Sequence, residues 1–198
     1  IQPLGKGQFQ LDVVSLFPSD TWDNGKSVFR ADIMQNLKEY APDFIRFPGG
    51  CIVHGVNEAT MYHWKKTIGP IENRPGQWSK WAPYYRTDGI GYHEFYELCE
   101  YLGADAMYVI PTGMICTGWV KQSSPWNFIQ PDVDLDAYIQ DALDAIEYAI
   151  GPETSKWGAL RVKNGHPKPF PLKYIEIGNE DFGPVYWERY EKIYQALH

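Results

Sequence analysis

The chain holds 198 residues, 44% hydrophobic and 22% charged, the composition of a globular domain with room for one substantial core. Its 18 basic and 25 acidic residues leave a net charge of −7 with no Lys/Arg run, which argues against a nucleic-acid partner. No apolar run approaches the roughly 18 residues that span a bilayer, so no membrane role is expected; the opening IQPLGKGQFQ shows no signal-peptide pattern, and the compartment is left open between secreted and cytoplasmic.

In chain order, FQLDVVSLFP (Phe9 to Pro18) is β-branched, apolar and closed by proline, so it predicts a strand. A polar loop follows. A helix is then expected from about Ser27 as N-cap, with Phe29, Ile33, Leu37 and Tyr40 at helical spacing and Pro42 beyond its end. DFIRFPGG predicts a short buried strand broken by Pro48-Gly49-Gly50. The stretch from Cys51 to Thr87 is long and aromatic-rich with little periodicity, which suggests an ordered, functional connection. GYHEFYELCEYLG predicts a helix closed by Gly103. DAMYVIPTG predicts a strand, and MICTGWVKQSSPWNFIQP an irregular region. DLDAYIQDALDAIEYAIG predicts a helix stopped by Gly151-Pro152. SKWGALRVKNGHPKPFPL reads as a loop, KYIEIGNE as the last strand and VYWERYEKIYQALH as the last helix. Short apolar strands alternating with amphipathic helices imply an α/β fold of parallel βα units in one domain.

In such folds ligands bind at the C-terminal ends of strands. Three predicted strand ends carry glycine: Pro48-Gly49-Gly50-Cys51, Pro111-Thr112-Gly113 and Gly178-Asn179-Glu180. Arg46 lies inside an apolar strand. A buried Arg needs a carboxylate or a polar ligand, so it serves either a sugar subsite or an ion pair within the sheet, with Glu176 as candidate partner. Glu176, Gly178 and Glu180 alternate onto one strand face, with Ile175 and Ile177 on the other. Glu180 sits at the mouth, where a general acid belongs. Glu176 lies about 13 Å deeper at strand rise. Paired glycosidase carboxylates stand about 5–5.5 Å apart in retaining enzymes and about 6.5–9.5 Å apart in inverting ones. Glu176 is therefore assigned a supporting role. Asn179 beside Glu180 can bond a sugar hydroxyl next to the reacting carbon.

Eight Trp and an aromatic content of 16% fit either sugar platforms or a large core. Cys51, Cys99 and Cys116 form no CxxC, so neither a zinc ribbon nor a redox motif is indicated, and Cys99 reads as a buried thiol. HEFYE at His93 lacks the second histidine of HExxH, and GIGYHEF is not a dinucleotide fingerprint. No metal or cofactor is expected. His54 and His63 are expected at the surface or a polar rim.

The stretches LDVVSLFPSDTW, FIRFPGGCIVHG, WKKTIGPIENRPGQW, DGIGYHEFYELCEYLGA and DALDAIEYAIGPETSKWGALRVKNGHPKPFPLKYIEIGNED resemble, in order and over nearly the whole chain, glycoside hydrolase family 51, the α-L-arabinofuranosidases, in the branch with the plant enzymes. The resemblance implies a (β/α)8 TIM barrel and retaining removal of terminal arabinofuranosyl groups from arabinoxylan or arabinan. It marks Glu180 as acid/base and Asn179, Arg46, Cys51 and Trp64 as substrate-binding residues. His54 stands where Glu is expected in GGCxVEG. The nucleophile implied is another Glu near the end of the seventh strand. Residues 1–198 then form a partial barrel covering about strands two to four, with residues 1–20 as the terminal strand of a preceding β-domain. The implied partner is an arabinose-containing polysaccharide or oligosaccharide. Association with itself or with the remainder of the barrel is expected, because open sheet edges pair. Alternatives are a non-catalytic sugar-binding or self-assembling barrel fragment, and β-1,4-glucanase activity within the same family.

Overall fold

The computed structural model describes residues 5–8, 10, 11, 14, 16, 18–79, 84–116 and 133–198. Three parallel strands form its central sheet: β1 (Phe44–Phe47), β4 (Asp105–Ile110) and β5 (Leu172–Ile177), in the spatial order β1-β4-β5. A short antiparallel hairpin, β2 (Gln77–Trp78) with β3 (Tyr85–Arg86), lies in the connection after β1. The helices are α1 (Ala31–Tyr40), α2 (Tyr92–Leu102), α3 (Leu135–Ile150), α4 (Lys156–Lys163) and α5 (Pro184–Leu197). Parallel neighbours need long crossovers, and here α2 and the α3–α4 pair provide them.

Register assigns the two faces of the sheet. Phe47 pairs with Tyr108, and Tyr108 with Ile175; these side chains join one core cluster against the helices. Arg46, Met107 and Tyr174 share a row on the opposite face, because successive strand residues alternate sides. A register shift between Ala106 and Met107 brings Tyr174 onto that face, followed by Glu176.

The outer core is aromatic. Phe47 stacks on Phe95 at 4.4 Å, and Tyr92 packs edge-on against Tyr108 at 4.7 Å. Such pairs contribute about 0.5–1.5 kcal/mol each beyond their buried area. The polar tips are satisfied inside: Tyr96 donates to the Tyr92 hydroxyl at 2.8 Å, which donates to the Ala145 carbonyl at 3.0 Å.

Helix ends follow local chemistry. Glu94 accepts from the Gly91 N–H at 2.8 Å at the start of α2, and Gly103 at φ 71° ends that helix. Asp134 accepts from the Ala137 N–H to cap α3.

Two expectations are corrected. The first helix starts at Ala31, not near Ser27. The Ser27 hydroxyl instead accepts from the Phe29 N–H and donates to the Trp22 carbonyl, holding a turn. Its face also differs: Met34 is buried, while Ile33 and Tyr40 are exposed. The segment read as a loop after Pro152 contains α4, capped by Ser155 accepting from the Gly158 N–H at 3.1 Å. The strand predicted over Phe9–Pro18 falls partly outside the described residues. Those described (Gln10, Leu11, Val14, Leu16 and Pro18) hold no strand, and Leu16 is 98% exposed. The irregular region after Met114 lies mostly outside the described residues. Among the described residues no helix is long and apolar enough to cross a membrane.

Candidate active site

The three glycine-marked strand ends converge. Gly49, Gly113 and Gly178 all adopt left-handed φ, at 63°, 73° and 82°. Only glycine does so without strain. At Gly178 a Cβ would also collide with Asp181 Oδ2, and at Gly49 it would lie 2.8 Å from Arg46 Nη1. These turns close over side chains, so the glycines are needed for space as well as conformation.

Arg46 reaches from β1 across β4 to β5, a span of about two strand spacings, or roughly 10 Å. Its Nε donates to Glu176 Oε2 at 2.5 Å and its Nη2 to Glu176 Oε1 at 2.7 Å. The same Nη2 donates to Asn179 Oδ1 at 2.7 Å. The fork thus ties a carboxylate low on β5 to the amide at its end. Glu176, with Glu180 adding in the same direction, holds the guanidinium above its ordinary pKa. The ion pair with Glu176 is therefore present, and Arg46 also borders the mouth, with its side chain one-third exposed.

Asn179 is buried. Its Nδ2 finds no acceptor among the described residues. Glu180 is exposed and adopts φ 54°, a left-handed value that a non-glycine residue reaches only under constraint. The constraint comes from both sides. The Gly178 N–H donates to the Ile110 carbonyl at 2.9 Å, and the Tyr186 hydroxyl to the Ile177 carbonyl at 3.0 Å. Burial pushes that phenol up to about 12, so it stays a neutral donor. Beyond Glu180, Thr112 donates to Asp181 Oδ2 at 2.9 Å.

His54 corrects its expectation. It is only 3% exposed and lies beneath the Asn179–Asp181 turn rather than on a rim. Its Nε2 stands 3.2 Å from the Asn179 N–H nitrogen, 3.3 Å from the Asn179 carbonyl and 3.1 Å from Asp181 Oδ1. Sequence reading missed this residue, Thr112 and Asp181. The glycine after Thr112 was the one signal for that position. Nothing local points to His54, because its contacts are 125 residues away.

Cys51 is buried and joined to Cys116 in a disulfide with Cα atoms 5.6 Å apart, which ties the end of β1 to the segment after β4. Widely spaced cysteines carried no sign of this pairing. Trp64 is not brought to the mouth. It is fully buried in the outer core, donates from Nε1 to the Asp141 carbonyl at 3.2 Å and packs on Tyr92, Tyr148 and Trp157. No ring face is left for a sugar. Among the described residues no group of three His, Cys, Asp or Glu side chains gathers to hold a metal ion.

The family model described as the alpha-L-arabinofuranosidase 1 domain matches residues 36–198. Alpha-L-arabinofuranosidase 1 of Arabidopsis thaliana is 40% identical over 97% of this chain and 27% of its own length. The extracellular exo-alpha-L-arabinofuranosidase of Streptomyces chartreusis is 37% identical over 94% of this chain and 23% of its own. Among solved structures, arabinose-bound MgGH51 α-L-arabinofuranosidase superposes with a TM-score of 0.75 at 35% identity, covering 90% of this chain and 28% of that one. The arabinose complex of the Thermotoga maritima enzyme gives 0.58 at 30% identity, over 80% of this chain and 27% of that one. The chain therefore spans about a quarter of the length of these relatives. It belongs to the α-L-arabinofuranosidases of glycoside hydrolase family 51, and its three parallel strands with their helices are part of a (β/α)8 barrel.

Proposed function

We propose that this chain supplies the acid/base side of an arabinofuranoside-hydrolysing site, with Glu180 as acid/base, Arg46 and Asn179 as sugar-binding residues and Cys51 beside them. The observation that carries this reading is Glu180 itself: an exposed carboxylate at a strand end, in a left-handed conformation, flanked by a buried amide with an unpartnered nitrogen. An unmet buried donor costs about 1–3 kcal/mol, a cost that a ligand oxygen would remove. In the first step Glu180 gives its proton to the glycosidic oxygen as the bond from that oxygen to the anomeric carbon breaks. A second carboxylate attacks the anomeric carbon, and water later releases the sugar with Glu180 acting as base. Glu176 is committed to Arg46 and is not that carboxylate. The nucleophile is assigned to the remainder of the barrel, and the chain alone is expected not to turn over. Trp64 is withdrawn from the sugar-binding set because it is enclosed.

Glu180→Gln in the completed barrel tests this. Hydrolysis of an arabinofuranoside with a poor alkyl leaving group should slow about 10²- to 10⁴-fold, while an activated aryl arabinofuranoside, which needs little protonation, should lose far less in its first step. Equal losses would count against the role. Preference for an aryl glucoside over an aryl arabinofuranoside would move the substrate to β-glucans.

We further propose that the isolated chain associates with itself or with the rest of its barrel. Phe44 on β1, Tyr174 on β5, and Trp187 and Tyr194 on α5 are all exposed, and β1 and β5 are the two edges of the sheet. Light scattering should show species larger than the 22.8 kDa chain. A monodisperse monomer would refute it.

A further inference from the structure

Glu180 is exposed, yet both of its neighbours are tethered from below. Asn179 is held by Arg46 at its side chain and by His54 at its backbone, and Asp181 is held by Thr112 and lies beside His54. One buried imidazole thus touches the residue before Glu180 and the residue after it. Its Nε2 can accept from the Asn179 N–H or, carrying the proton, donate to the Asn179 carbonyl or to the Asp181 carboxylate.

The ring is itself mounted on a fixed base. Cys51 is cross-linked to Cys116, and the Cys116 N–H donates to the Gly55 carbonyl at 2.8 Å. The Tyr62 N–H donates to the Ile52 carbonyl at 3.1 Å, and Val53 is fully buried. Gly55, at φ 64°, sits so close to Thr60 and Met61 that a Cβ would lie 2.5 Å from their backbone. The loop after β1 therefore cannot slide freely, and what it presents to the loop after β5 is His54. A left-handed backbone at a non-glycine residue persists only where its surroundings over-determine it. Beyond the bonds at Gly178 and Ile177, the contacts that meet this need on the two residues flanking Glu180 include those of His54 and Asp181.

Resting on the acid/base reading of Glu180, we propose that His54 is a positioning residue, which with Asp181 and Thr112 clamps the Asn179–Asp181 turn and so aims the Glu180 carboxyl at the leaving-group oxygen. It touches no substrate in this scheme. It acts through the backbone on either side of Glu180.

The test uses the completed barrel with three single substitutions, Glu180→Gln, His54→Leu and His54→Gln. Each is assayed on an alkyl arabinofuranoside and on 4-nitrophenyl arabinofuranoside. A displacement of about 1 Å can cost on the order of 10²-fold, so His54→Leu should slow the alkyl substrate about 10- to 100-fold. It should change the nitrophenyl substrate by less than about threefold, reproducing in smaller form the split expected of Glu180→Gln. His54→Gln, whose amide can both accept and donate, should recover most of that loss. A uniform loss on both substrates, or a lowered melting temperature without a leaving-group split, overturns the clamp. If Glu180→Gln shows the split and His54→Leu does not, only the clamp fails. If Glu180→Gln shows none, the acid/base reading fails and takes the clamp with it. Should His54→Leu not fold, Thr112→Val, which removes only the Oγ1 contact to Asp181, is read by the same criteria.

Discussion

Two regions of this molecule are built on opposite terms. The layer between sheet and helices is closed: Trp64, Tyr92, Tyr96, Tyr108 and Tyr148 are each no more than 1% exposed. Its polar groups are nearly all paired, Arg161 most completely. That guanidinium gives its donors to the carbonyls of Tyr148, Ala149, His166 and Pro167. The mouth at the strand ends is the reverse. Arg46 and Glu176 are a third exposed, and Glu180 holds a left-handed backbone. Of the five buried side-chain polar atoms without a hydrogen bond among the described residues, three (His54 Nδ1, Asn179 Nδ2 and Asp181 Oδ1, the last still 3.1 Å from His54 Nε2) lie there. Native structures keep such atoms few. Their concentration at one end of the sheet separates where stability is made from where a ligand is expected. Trp157 Nε1 is the exception in the closed layer.

If that division is right, substitutions should split into two groups, ordered here by their effect on folding. Trp64→Ala should cost most. It empties a fully enclosed site bordered by Tyr92, Tyr148 and Trp157, and large-to-small changes of this kind cost about 3–5 kcal/mol. Urea denaturation of the completed barrel measures it. A loss under about 1 kcal/mol, together with weakened sugar binding, would return Trp64 to the mouth and break the division.

Arg161→Met should come next. Methionine fills much of the volume but takes its donor from the carbonyls of Tyr148, His166 and Pro167, while that of Ala149 keeps the Phe170 N–H at 2.8 Å; unmet buried groups cost about 1–3 kcal/mol. Burial lowers the pKa of this guanidinium, more than Tyr148 and Glu153 raise it. Melting temperature should fall while kcat/KM at a permissive temperature is retained. Lost turnover in a protein of normal stability would show that the closed layer reaches the chemistry.

The two regions were unequally legible in the sequence. The central strands β4 and β5 and the helices α2, α3 and α5 announce themselves, because apolar periodicity and terminal Gly or Pro are local signals. The alternation of Glu176 and Glu180 with Ile175 and Ile177 is likewise local, and it identified Glu176 as a candidate for Arg46. Helix α4 was hidden: Gly158 interrupts it, and Lys156, Arg161 and Lys163 dilute its apolar stripe. Arg161 looks like a surface residue until the carbonyls around it are known. The Cys51–Cys116 pairing and the His54 contacts depend on chain closure over 65 and 125 residues, for which spacing offers no rule. Aromatic content misled in a simpler way, since Trp64 fills the core and the same residue type would serve a sugar platform.

Arg46→Lys should have the smallest effect on folding and is the sharpest probe of the mouth. Arg46 forms an ion pair with Glu176, and that fact alone is compatible with a purely structural residue. The pair is one-third exposed on both sides, so solvent screens it, and exposed pairs contribute about 0–1 kcal/mol. Lysine keeps the charge and can still reach Glu176. It cannot hold two carboxylate oxygens and Asn179 Oδ1 at once, as the planar fork does. Asn179 then loses the bond that orients its amide, and with it the placement of the free Nδ2. A hydrogen bond to a charged group is worth about 1.5–3 kcal/mol, so kcat/KM on an arabinofuranoside should fall about 10- to 100-fold. The melting temperature should move by only a few degrees. A large drop in melting temperature with normal sugar affinity would instead place Arg46 with Arg161, as a residue whose work is to hold the fold.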